Sequence, residues 1–253
     1  MSSKSEMIIQ ADNITKRFGG ITAVNNVSFG LEKNQIGALI GANGAGKTTF
    51  FNILTGNYIP EEGQVFYKGQ DITRLAPEER VDLGITRTFQ LASTFDNLTV
   101  LDNLRLAYFR ASEKSTLRKC FFSQMNHINS DKIDEALQCF CLEMLADRMV
   151  SDSSLGEKRI LEIAMAMVSE PELLLLDEPF AGLSEVEIDE CLGVLREQEG
   201  KRTMLIVEHK ISKIEDFVEK VGVMVEGVMI ASGETHEVLN SDIVRKEYWK
   251  VSV

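Results

Sequence analysis

Eight consecutive residues, Gly41-Ala42-Asn43-Gly44-Ala45-Gly46-Lys47-Thr48, constrain this chain more than any other feature. They match G-x-x-x-x-G-K-[ST], follow the apolar run Ile36 to Ile40 and precede the helix-prone run Thr49 to Leu54, so they join a strand to a helix. Glycines at 41, 44 and 46 let the backbone curl until successive N–H groups point inward, and the following helix aims its positive end at the same place. Such a cradle suits a polyphosphate. Lys47 adds a point charge for the β- and γ-phosphates, and the Thr48 hydroxyl is placed to ligate Mg2+. An ordinary strand-to-helix turn needs one glycine at positive φ and has no use for Lys-Thr directly after it.

Two further apolar runs read as buried parallel strands, Leu173 to Leu176 and Met204 to Val207, and each opens into polar residues, Asp177-Glu178 and Glu208-His209. On such a sheet edge Asp177 would hold Mg2+, and Glu178 would orient or deprotonate the water that attacks a γ-phosphate. Alone, Asp177-Glu178 followed by Pro179 would pass for a solvated turn. Between the first strand and these two, the periodicity becomes helical: Asp131 to Asp147 and Gly156 to Val168 each repeat apolar residues at three- and four-residue steps, and Pro171 stops the second. Val221 to Val225 and Val228 to Ala231 flank Glu226-Gly227 as a β-hairpin. The expected division is an α/β core at 1–97 and 171–253 with a helical subdomain at 98–170 inserted into it.

Composition removes several function classes. The 27 Lys+Arg against 39 Asp+Glu give a net charge of −12, which argues against non-specific nucleic-acid binding. No apolar stretch approaches the ~20 residues of a membrane span. The start of the sequence carries no basic-then-apolar signal, so the expected location is the cytoplasm. The four cysteines, at 120, 139, 141 and 191, have no C-x-x-C spacing and read as reduced thiols packed as small apolar groups.

The order of motifs resembles, over essentially the whole length, the ATP-binding subunit of an ABC transporter. After the phosphate loop come Gly84-Ile85-Thr86-Arg87-Thr88-Phe89-Gln90, similar to the Q-loop; Ser153-Ser154-Leu155-Gly156-Glu157-Lys158-Arg159, similar to the ABC signature; Asp177-Glu178; Ala181-Gly182-Leu183-Ser184 at the D-loop; and Glu208-His209 at the H-loop. The resemblance implies an ABC-type P-loop NTPase core with an N-terminal antiparallel β region and an inserted helical subdomain. It implies Glu178, His209 and Gln90 as catalytic residues and Thr48, Gln90 and Asp177 around Mg2+. ATP would be bound by Phe18 under the adenine, by Gly41, Asn43, Gly44, Ala45, Gly46, Lys47, Thr48 and Thr49, and by Ser154, Gly156 and Glu157 of a second subunit.

The signature also has a reading that needs no ligand, because Ser154-x-x-Glu157 is a helix capping box. Ser153, Glu157, Ser184, Met165 and Asn34 depart from the family's usual residues. Arg87-Thr88-Phe89-Gln90, Phe95 to Leu104, Leu161-Glu162-Ile163-Ala164 and Val207-Glu208-His209 look most like the ATPases of branched-chain or neutral amino-acid importers and their urea-importing relatives. That implies a second ATP-binding subunit, two membrane-spanning permease subunits, an extracytoplasmic substrate-binding protein acting through them, and a place on the inner face of the membrane. A soluble, non-transport ABC ATPase is the alternative, but this length and the lack of a heptad run leave no room for a second cassette or a long coiled coil.

Overall fold

The three apolar runs singled out above become adjacent, fully buried strands. In the computed structural model, which describes residues 6–88, 94–112, 130–209 and 211–249, the strands are β1 (Met7–Phe18), β2 (Ile21–Glu32), β3 (Ile36–Ile40), β4 (Glu62–Tyr67), β5 (Gln70–Asp71), β6 (Ile85–Arg87), β7 (Leu173–Asp177), β8 (Thr203–Glu208), β9 (Lys220–Val225) and β10 (Val228–Glu234). The helices are α1 (Lys47–Leu54), α2 (Pro77–Asp82), α3 (Val100–Ser112), α4 (Ser130–Cys139), α5 (Leu155–Met167), α6 (Glu185–Arg196), α7 (Thr235–Leu239) and α8 (Asp242–Glu247). The chain divides into two compact units, one of Met1–Arg87, Glu172–Pro179 and Glu199–Val253, the other of Thr88–Pro171 and Phe180–Gln198.

The first unit holds two sheets. One is antiparallel, in the order β2-β1-β4-β5; the other runs β10-β9-β3-β8-β7-β6, with β9, β3, β8, β7 and β6 parallel and β10 antiparallel at its edge. Every residue of β3, β7 and β8 is buried, which is why these strands read as continuous apolar runs instead of alternating ones. The register pairs Ile40 with Glu208 and Asp177 with Val207, so three strands end on one edge and deliver the phosphate loop, Asp177-Glu178 and Glu208-His209 together. The hairpin between β9 and β10 turns at Glu226 and Gly227, both at positive φ as a two-residue turn requires.

Helix α1 fills the core of this unit. Its Phe50, Phe51, Ile53 and Leu54 join Ile8, Ile14 and Leu31 of the antiparallel sheet and Leu39, Leu175 and Val207 of the parallel one in a single apolar cluster. Carbonyls at its carboxyl end meet Arg80, which is only 1% exposed. Its guanidinium donates to Ile53 O and Leu54 O at 2.8 Å, to Ile72 O at 2.7 Å, and to Thr73 O and Leu75 O at 3.2 Å. Nothing in the sequence pattern marks this arginine as internal.

In the second unit α3, α4 and α6 each pack on α5. Asn103, fully buried on α3, accepts from Phe95 N and donates to Phe95 O and Thr99 O, tying the entry loop to its helix. The expected helix over 131–147 is shorter: α4 stops at Cys139. Cys141 adopts φ 54°, its N–H bonds Gln138 O, and Leu142 N–H bonds Leu137 O, so the chain leaves the helix through a Schellman motif that has Cys where Gly is usual. Met144, expected on the apolar face, is 94% exposed in a 3-10 turn, and Cys141 is exposed instead of packed. This unit also takes in α6, beyond the 98–170 span, because α6 packs on α5.

Candidate functional site

The phosphate loop closes as its glycines dictate. Gly46 sits at φ 96°, and a Cβ there would lie 2.3 Å from Ala23 O; a Cβ on Gly41 would lie 2.4 Å from Met224 O. No side chain caps α1, so its first N–H groups are presented by Gly46, Lys47, Thr48 and Thr49 without competition from a capping oxygen. Asn43, Gly44 and Thr48 are exposed around this end, Thr49 is half-buried and Ala45 is buried. Lys47 is buried with Nζ 2.8 Å from Gly41 O, 3.1 Å from Ala42 O and 3.3 Å from His209 Nδ1. Burial lowers its pKa, while Glu178, Glu208 and Asp177 oppose that shift.

The neighbouring strand ends complete the cluster. Asp177 is 1% exposed, and its Oδ2 accepts from Arg87 Nη2 at 2.8 Å. Its Oδ1 is buried with no hydrogen-bond partner, although buried polar atoms normally have one. Burial raises the Asp177 pKa against the pull of Arg87. Glu178 takes φ 49°, a left-handed conformation a glutamate seldom adopts, with its N–H on Val207 O at 2.9 Å. That turn aims its carboxylate at His209, Oε1 lying 2.8 Å from Nε2.

His209 is in turn fixed through its backbone: its N–H donates to Glu208 Oε2 at 3.2 Å, and its carbonyl accepts from the Tyr248 hydroxyl at 2.5 Å. Lys47, Asp177, Glu178 and His209, all expected from the sequence, are therefore brought together. Phe18 lies at the end of β1, 43% exposed, with the Tyr58 ring edge-on at 5.3 Å. Gln90 lies outside the described residues.

Sequence reasoning missed Arg87 and Tyr248 as members of this site. Arg87 bridges Asp177 and Asn52, with Nη1 2.6 Å from Asn52 Oδ1, and its guanidinium lies over the Phe51 ring at 4.9 Å. The available signal was its place at the end of β6, whose parallel neighbour β7 carries Asp177. Tyr248, far along the chain, gave none.

In the second unit Ser154 caps α5. Its Oγ accepts from Glu157 N at 3.1 Å, and the Glu157 carboxylate accepts from Ser154 N at 2.7 Å. Gly156 is the second residue of the helix. The capping-box reading thus holds in the chain by itself. Ser184 performs the same service for α6, which accounts for a serine in the D-loop. Asn34, at φ 62°, takes a left-handed turn conformation, which asparagine tolerates better than most residues.

A family model described as ABC transporter matches residues 24–181. The "Probable branched-chain amino acid transport ATP-binding protein LivG" of Archaeoglobus fulgidus is 36% identical over 244 residues, covering 95% of each chain. The high-affinity branched-chain amino acid transport ATP-binding protein LivG of Escherichia coli K12 is 35% identical over 254 residues, covering 95% of this chain and 97% of that one. Among solved structures, the ADP conformation of MJ1267, an ATP-binding cassette of an ABC transporter, superposes with a TM-score of 0.83 at 30% identity, covering 97% of this chain and 99% of that one.

Proposed function

The chain belongs to the ABC transporter family of ATP-binding subunits, and from that premise we propose that it binds and hydrolyses ATP to energise an importer of branched-chain or neutral amino acids. The observation that carries the hydrolytic reading is the convergence of Lys47, Asp177, Glu178 and His209 on one sheet edge.

The residues present suit ATP and Mg2+. The uncapped start of α1 offers N–H donors to the β- and γ-phosphates, with Gly41, Asn43, Gly44, Ala45, Gly46 and Thr49 shaping the cradle. Phe18, 43% exposed, is the aromatic that would stack on adenine. The buried, unpartnered Asp177 Oδ1 and the exposed Thr48 hydroxyl are the oxygens that would hold Mg2+, with Gln90 as the third expected contributor. Among the described residues no three His, Cys, Asp or Glu side chains form a metal cluster, so the phosphates and water must supply the remaining ligands. Mg2+ held by these residues would neutralise charge that develops on the phosphate oxygens.

The chain's own residues do the rest. Lys47, held by loop carbonyls, is already directed into the cradle, so little ordering is needed when phosphate arrives. Glu178 orients the attacking water and accepts its proton as ADP and phosphate form. His209 would donate to the γ-phosphate through the Nε2 that rests on Glu178 Oε1 in the nucleotide-free chain, so phosphate would take over that contact. Glu208 and Tyr248 keep the His209 backbone in register.

Ser154, Gly156 and Glu157 would act in trans, closing over the ATP of a second subunit, so that two chains sandwich two nucleotides. Among the described residues no helix is long and apolar enough to cross a membrane. Two permease subunits would provide the spans, receive substrate from an extracytoplasmic binding protein and hold this chain on the inner face of the membrane. ATPase assays on the chain alone and with its permease partners test the reading. Activity that Glu178→Gln abolishes supports it, and a wild type silent in both settings refutes it.

A further inference from the structure

The amino end of α5 already holds an anion supplied by the same unit. Glu187 of α6 divides its carboxylate between two helices: Oε1 accepts from Gly156 N at 3.0 Å, while Oε2 accepts from Ser184 N at 2.9 Å and from Ser184 Oγ at 2.8 Å. The side chain lies so close over Gly156 that a Cβ there would come within 2.7 Å of Glu187 Cγ and Oε1. Hydrogen bonds from Ser184 N–H and hydroxyl, and then from Gly156 N–H, hold the carboxyl below its ordinary pKa and so keep it charged. The other signature carboxylate is neutralised, because Arg148 Nη1 reaches both oxygens of Glu157, at 2.9 and 3.1 Å. Glu187 is held by neutral donors.

We propose that Glu187 occupies, in the ATP-free chain, the place at the start of α5 that the γ-phosphate of a partner's ATP takes, and that pairing of two chains displaces it. The inference rests on the ATP-sandwich reading above. Of the first helical N–H groups, Glu157's is taken by Ser154 Oγ and Gly156's by Glu187, so an incoming phosphate meets an occupied donor and a like charge. Rotation of Glu187 frees Gly156 N–H while Oε2 can stay on Ser184. The α6 cap therefore survives the displacement.

The test is ATP titration of full-length chain carrying Glu178→Gln, with dimer fraction read by light scattering. Adding Glu187→Gln, which keeps the length and an acceptor for the α6 cap, lowers the ATP concentration at half-dimerisation several-fold, and the difference narrows as ionic strength rises. Glu187→Asp keeps the charge and the cap but withdraws from Gly156, and it shifts the midpoint the same way. Nucleotide affinity of the monomer's own phosphate loop, read with a fluorescent ATP analogue, stays unchanged. A midpoint that is unmoved or raised in either variant overturns the proposal while leaving the sandwich standing. A parent that forms no dimer with ATP overturns the sandwich and this inference with it.

Discussion

Replacing Arg87 by Met tests whether the buried Asp177 is tolerated because a guanidinium compensates it. The two groups are 2.8 Å apart, with side-chain exposures of 15% for Arg87 and 1% for Asp177. At an effective dielectric of ~20, attraction at that separation is about 6 kcal/mol, and because the Asp177 pKa is raised even beside Arg87, desolvation outweighs that attraction. Losing Arg87 leaves the carboxylate buried without its partner, which costs ~3–5 kcal/mol.

The pH dependence separates this cause from simple packing loss. Burial already raises the Asp177 pKa above its ordinary 3.8, so the folded chain holds that proton more tightly than the unfolded one, and ionised Asp177 subtracts stability as pH rises. Without Arg87 the folded pKa climbs further. The deficit of Arg87→Met is then complete above that raised value and narrows as pH falls toward 3.8. Urea unfolding of both proteins across this range measures it. Arg87→Lys, which keeps the charge but loses the bridge to Asn52, sits between them. A deficit independent of pH would refute charge compensation as the role of Arg87.

Arg80→Met removes the guanidinium from five backbone carbonyls, of which Ile53 O and Ile72 O keep a backbone N–H donor, and destabilises the chain by about 3 kcal/mol in the same assay, although the residue touches no part of the proposed site. Iodoacetamide at neutral pH modifies exposed Cys141 in the native protein and spares Cys191, which is fully buried and whose pKa burial pushes up to about 12; mass spectrometry of the peptides reads the difference.

What could be read from the sequence follows from how local each determinant is. The phosphate loop, the capping box at Ser154 and the hairpin at Glu226-Gly227 were legible because each is specified by residues a few positions apart. The fully buried strands showed as unbroken apolar runs for the same reason. The end of α4 was missed because Cys141 adopts a conformation that its residue type does not advertise, and the apolar spacing continues past it. Arg80, Arg87, Glu187 and Tyr248 were missed because their meaning lies in partners brought close by the fold: carbonyls of α1, a carboxylate at the end of a neighbouring strand, a helix amino end and the His209 carbonyl. A buried arginine looks like a surface arginine until the topology supplies its acceptors.

In the proposed ATP sandwich the phosphate loop of one ATP-binding subunit faces the signature of a second, an arrangement that two copies of this chain can form. Disulfide cross-linking between Asn43→Cys and Ser154→Cys in the Glu178→Gln background, with each single-cysteine variant as control, tests it most directly. An inter-chain cross-link is expected to rise with ATP and Mg2+ and to fall away with ADP. Cross-linking that is absent, or that is indifferent to the nucleotide, would contradict the sandwich.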